Sequence, residues 1–163
     1  MGLDMYLAAR KSLYSAEHYA PDKEQVEQLR GLDVLKDIPT RDDGTDAIEI
    51  KVDLMYWRKA NHIHSWFVEN CQEGVDDCRN AYVAREKLVE LDKLCSEVVV
   101  ANSPEAAAEK LPARSGFFFG GTDYDEWYFE QCRETMVGLQ KLLKLSEPGG
   151  PLENWSFEYH SSW

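Results

Sequence analysis

From Ile48 to Leu54 the chain alternates without a break, Ile48, Ile50, Val52 and Leu54 against Glu49, Lys51 and Asp53. A side-chain period of two suits only an extended strand with one buried and one wet face. Leu3, Met5 and Leu7 repeat the pattern around Asp4 and Tyr6, and Trp155, Phe157 and Tyr159 repeat it around Ser156 and Glu158. Half-buried strands at both ends and in the middle require a sheet, and the intervening periods of three and four require helices to cover it. The pattern predicts an α+β fold: a small, mainly antiparallel sheet of about four strands, near residues 3–9, 47–53, 116–120 and 155–160, packed chiefly on one face against about three longer helices.

The first helix is expected around Val26 and Leu29, ended by Gly31. From about Leu54 the spacing turns helical, with Trp57, Ala60, His64, Phe67 and Cys71 inward, Arg58, His62, Ser65 and Glu69 outward, Asp53 as N-cap and Gly74 as stop. A scaffold helix follows from about Ala84 to Val99. Ser103-Pro104-Glu105 opens a short helix with a capping hydroxyl and proline at the first position. Phe117 to Phe119 read as a short strand turning at Gly120-Gly121 into a last helix capped by Thr122 or Asp123. Trp57, Phe67, Leu88, Leu91, Phe118 and Leu139 are the expected core. At 163 residues the chain suits one domain, 1–163, with the polar stretch at about 14–45 as an insertion.

Thirty acidic residues against 18 basic ones give a net charge of −12, which repels phosphate backbones and anionic lipid over a Debye length of about 8 Å. Nonspecific nucleic-acid binding and membrane attachment are not expected. No apolar run reaches the roughly 18 residues of a membrane span, and the beginning of the sequence lacks a signal-peptide pattern. Cys71, Cys78, Cys95 and Cys132 are irregularly spaced, and a helix would set His62 and His64 about 200° apart, so no metal site and no cofactor is expected.

The densest mixture of aromatic and hydrogen-bonding groups is Tyr56-Trp-Arg-Lys-Ala-Asn-His-Ile-His-Ser-Trp-Phe67. On one helix, Trp57, Asn61 and His64 would project together: Trp57 to stack on a planar ligand, Asn61 and His64 to bond its edge, Arg58 to meet negative charge. A buried His64 satisfied by a backbone carbonyl is the plainer alternative. Gly120, Gly121 and Thr122 before a helix offer backbone N–H groups to an anion, although the lysine of a phosphate-binding loop is absent. Tyr124 stands beside them. No nucleophile signature occurs; the catalytic candidates are His64 as acid or base and Asp125 as its orienter or as a cation ligand.

The opening MGLDMYL, the central YWRKANHIHSWFVENCQEGVDDC, the later LPARSGFFFGGTDYDEWYF and the closing EYHSSW resemble a family of small uncharacterised proteins of tailed bacteriophages and prophages. The resemblance covers most of the chain except about 14–45 and confers no assigned activity. It implies an accessory protein in the bacterial host cytoplasm, and it favours His64 over His62, whose place in the family is variable. The expected function is binding of a host factor or a small nucleotide-like ligand in host takeover or anti-defence. The alternatives are a small hydrolase or transferase acting on a nucleotide, and an acidic nucleic-acid mimic that inhibits a host protein.

Overall fold

The computed structural model describes residues 2–163. Among them are four strands and five α-helices, and the fold is α+β. In chain order these are β1 (Asp4–Tyr14), α1 (Ala20–Arg30), β2 (Ala47–Arg58), α2 (Asn61–Cys71), β3 (Ala81–Val83), α3 (Arg85–Ala101), α4 (Pro104–Lys110), α5 (Glu126–Leu145) and β4 (Ser156–Ser162). The sheet is antiparallel with order β2-β1-β4-β3, and Ala81, Tyr82 and Val83 stand opposite Tyr159, Glu158 and Phe157.

By internal contacts the chain forms two compact units, Met1–Ala9 with Asp53–Trp163, and Arg10–Val52. The second unit exceeds the polar stretch expected as an insertion, because the far ends of β1 and β2 belong to it. Within it, Val26 and Leu13 are buried, and the Arg30 guanidinium pairs with Asp46 through Nε at 2.9 Å. Arg30 also donates to the Ile38 carbonyl at 2.6 Å, so one side chain fastens the turn after α1.

In the first unit one face of the sheet presents Met5, Leu7, Trp57, Val83, Phe157 and Tyr159 to a core completed by Phe67 of α2, Leu88, Leu91 and Cys95 of α3 and Cys132 and Leu139 of α5. Alternation along β4 explains its share: Phe157, Tyr159 and Ser161 are buried, while the residues between them are not. Tyr159 lies flat on Phe67, ring centroids 4.0 Å apart and planes 8° from parallel. Tyr6 and His160 stack at 4.8 Å, and Tyr82 is largely exposed.

Three expectations are corrected. The helix expected from Leu54 begins at Asn61; β2 continues through Trp57 and Arg58, and Lys59, at φ +60°, turns the chain between them. Asp53 is therefore a strand residue and caps nothing. No strand forms at 116–120, where the chain makes a turn, and the fourth strand is the short Ala81–Val83. With that turn the core residue becomes Phe119, whereas Phe118 is half-buried and Phe117 is 94% exposed. Finally α5 is capped by Asp125, whose carboxylate accepts from the Tyr128 N–H at 3.0 Å, and not by Thr122 or Asp123.

The cap on α4 is as expected, with the Ser103 hydroxyl accepting from the Ala106 N–H at 3.3 Å and Pro104 opening the helix. Ser103→Ala is expected to cost about 1 kcal/mol, read as a lower denaturant midpoint, and Ser103→Asp is expected to restore it. No helix among the described residues is long and apolar enough to cross a membrane.

Candidate functional site

Lys59, between β2 and α2, fixes where the site forms. Its N–H donates to the Leu3 carbonyl at 2.8 Å, and its own carbonyl accepts from the Asn61 N–H at 2.9 Å. Asn61 thereby enters α2 with its side chain directed at the segment 113–121. Its Nδ2 donates to the carbonyls of Phe119 at 3.2 Å and Gly121 at 2.7 Å, and its Oδ1 accepts from the Arg114 N–H at 3.0 Å. One amide thus holds three backbone groups that lie 53 to 60 residues away.

The clamp leaves a cavity of about 260 Å³ lined by Lys59, Asn61 and His62 on one side, and by Gly120, Gly121, Asp123, Asp125, Trp127 and Tyr128 on the other. Gly120 sits at φ +87°, a conformation open to glycine, and a side chain there would press on the Lys59 stem. Trp127, in the first turn of α5, is 45% exposed and supplies the cavity's accessible aromatic face.

His62, expected to face solvent, is only 2% exposed because α5 covers that side of α2. Its ring lies 4.0 Å from that of Tyr128, and its Nε2 is 3.5 Å from Cys132 Sγ. The Cys95 thiol and then the His62 ring favour a charged sulfur on Cys132 and draw its pKa below the usual thiol range against the opposing effect of burial. The same sulfur contact, together with burial, pushes Cys95 well up. Tyr128 donates its hydroxyl proton to the Leu111 carbonyl at 2.7 Å, and burial raises its pKa. All four cysteines are free, and no cluster of three His, Cys, Asp or Glu side chains among the described residues is placed to hold a metal ion.

His64 lies elsewhere. It is completely buried, with Nδ1 2.7 Å from the Tyr159 hydroxyl and Nε2 3.0 Å from Asp76 Oδ2. A carboxylate can only accept, so a neutral ring carries its proton on Nε2 and Nδ1 accepts from Tyr159. Burial lowers the pKa of His64 and outweighs the opposite pull of Asp76. Asp76 also accepts from the Trp163 indole N–H at 3.1 Å and has an Arg114 nitrogen at 3.6 Å. Both ring nitrogens of His64 are engaged, and its orienting carboxylate is Asp76; the expected partner, Asp125, is occupied as a helix cap.

Of the residues expected to bind a ligand, the cavity brings together Asn61, Gly120 and Gly121. Trp57 does not join them. It is buried on β2 with its indole N–H on the Thr135 hydroxyl at 2.8 Å, so its face is not open for stacking. Arg58 and Thr122 are exposed outside the lining, and Tyr124 packs edge-on to Tyr128 with its hydroxyl accepting from the Ala113 N–H. The glycines do not form an anion-binding helix start, since α5 begins at Glu126, beyond Asp123 and Asp125. Sequence reasoning missed Lys59, His62, Asp123, Trp127 and Tyr128 as lining residues. Comparison of the chain with protein-family models, curated proteins and solved structures found no match.

Proposed function

We propose that this is a phage-encoded accessory protein of the bacterial host cytoplasm that binds a small nucleotide-like ligand in the Asn61 cavity. The supporting observation is the convergence there of an accessible indole, a buried imidazole and backbone held by Asn61. Such a combination suits a planar ring: Trp127 covers its face, and the polar groups meet its edge. At about 260 Å³ the cavity falls just under the roughly 300–1,000 Å³ of sites for drug-sized molecules, so its occupant is one small ring system with little attached. Captured in the host, such a ligand would be withheld from metabolism or defence signalling.

The test is native mass spectrometry of the chain purified from a bacterial cytosol, with denaturation to release any bound molecule. A stoichiometric small molecule in the parent chain is expected, and Trp127→Ala is expected to lose it or weaken its binding by about tenfold, in keeping with the roughly 1–3 kcal/mol of a stacked base. Trp127 is half exposed, so this variant keeps the fold. Retention of the same molecule at the same affinity by folded Trp127→Ala would remove the cavity from the binding reaction.

A further inference from the structure

We infer that the Asn61 cavity selects an unphosphorylated nucleobase or nucleoside bearing an exocyclic amino group and discriminates against the corresponding nucleotide; this rests on the cavity being the ligand site proposed above. The first reason is charge. Asp123 and Asp125 bring two carboxylates to the lining and Lys59 a single ammonium, so a phosphate entering the cavity meets a net negative wall. At the helix start that could offset this, the Tyr128 N–H is already bonded to Asp125, whose carboxylate adds to the negative wall.

The second reason is the sense of the hydrogen bonds that remain. Both Nδ2 protons of Asn61 are spent on Phe119 and Gly121, which leaves the side chain only a lone pair on Oδ1 to offer. With the two carboxylates, this oxygen makes a wall rich in acceptors, and Lys59 is its one cationic donor. A wall of acceptors is satisfied by N–H groups. Ring amino groups supply them; phosphate oxygens supply none, and a ring edged by two carbonyls supplies only the single N–H between them.

The third observation is His62. It is 98% buried by its 2% exposure, its ring lies against Tyr128, and its Nε2 rests near Cys132. The ring belongs to the cavity wall, so it can meet a ligand directly. A heterocycle edge, which alternates donors and acceptors, can pair with an imidazole in either tautomer.

Isothermal titration of the full chain with adenosine, cytidine, guanosine and uridine, and with their 5′-monophosphates, tests the inference. At least one amino-bearing nucleoside is expected to bind, uridine more weakly, and the monophosphate of the bound nucleoside at least about tenfold more weakly at low salt. Added salt is expected to narrow the difference between nucleoside and monophosphate. Asp123→Asn, which spares the helix cap, is expected to narrow it as well. Equal or tighter binding of the monophosphate at a Trp127-dependent site would overturn this selectivity while leaving the cavity as a ligand site. Absence of binding by every nucleoside and monophosphate to the folded chain would overturn the nucleotide-like reading and the selectivity together.

Discussion

His64→Ala is expected to lower the unfolding free energy by about 4 kcal/mol, the largest loss from any single truncation in the polar interior. The ring is wholly enclosed, bonded at both nitrogens and edge-on to Phe119 at a centroid distance of 5.0 Å. Its removal leaves a void and strands the Tyr159 hydroxyl. That hydroxyl loses its acceptor, at about 1–3 kcal/mol, the Asp76 carboxylate loses one donor while keeping the Trp163 indole, and the lost packing adds to both. A denaturant midpoint lowered by less than a quarter of this, at unchanged m-value, would show that water replaces the ring without penalty.

The same residue gives stability a pH dependence of known sign. Burial holds the folded-state pKa of His64 below its ordinary 6.5, so the unfolded chain takes up the proton first. The contribution is fully present above 6.5 and is lost as pH falls from there through the lowered folded-state value. His64→Ala abolishes this component; the difference in unfolding free energy between parent and variant is therefore expected to shrink on acidification. A difference that grows instead would mean that Asp76 keeps the folded ring charged.

Asn61→Ala is expected to cost about 3 kcal/mol and to release the segment 113–121. Three backbone groups depend on this amide: the carbonyl of Phe119 in the buried interior, and the Gly121 carbonyl and Arg114 N–H nearer the surface. Water can reach the latter two after truncation, which keeps the sum below three full desolvation penalties. Hydrogen exchange is expected to rise first at Arg114, whose N–H loses its acceptor, while α3 and α5 remain protected. Asn61→Asp offers an acceptor to Arg114 but repels both carbonyls, so it is expected to recover only a minor part of the loss. Uniform acceleration of exchange throughout the first unit would instead make Asn61 a residue of the global core.

The sheet was legible because alternation marks a strand in many tertiary contexts: Met5 to Leu7, Ile48 to Leu54 and Phe157 to Tyr159 all lie in strands, although in β2 the apolar set is only half-buried and Val52 is exposed. The error at Trp57 has a physical origin. The inward residue at the end of β2 falls four positions before Asn61 and seven before His64, so a strand running into a helix imitates one longer helix. The break falls at Lys59, a left-handed residue that is neither Gly nor Asn and therefore carries no compositional mark. The three residues of β3 are too few to display a period.

Asn61 was recognisable as a polar residue beside apolar ones, but its role depends on a loop more than fifty positions away that periodicity does not reach. His62 was assigned to solvent because helical spacing identifies faces, not what covers them; α2 is enclosed on more sides than one stripe can express. Trp127 could have been found by asking which aromatic follows an acidic helix start beside the glycine pair.

The sheet order also governs how quickly the molecule can assemble. β4, the last strand in sequence, lies between β1, the first, and the short β3, so the pairing at the middle of the sheet joins residues near 4–9 to residues near 156–162. Local helices form in microseconds, but a contact of this sequence separation must first meet the entropy of closing nearly the whole chain into a loop. Until it does, β1 and β3 each present an unpaired edge, and the aromatic residues of β4 have no face to cover. Refolding is therefore expected to be limited by the arrival of one seven-residue strand, and substitutions at Phe157 or Tyr159 that weaken its docking are expected to slow folding to the extent that β4 is already in place at the barrier.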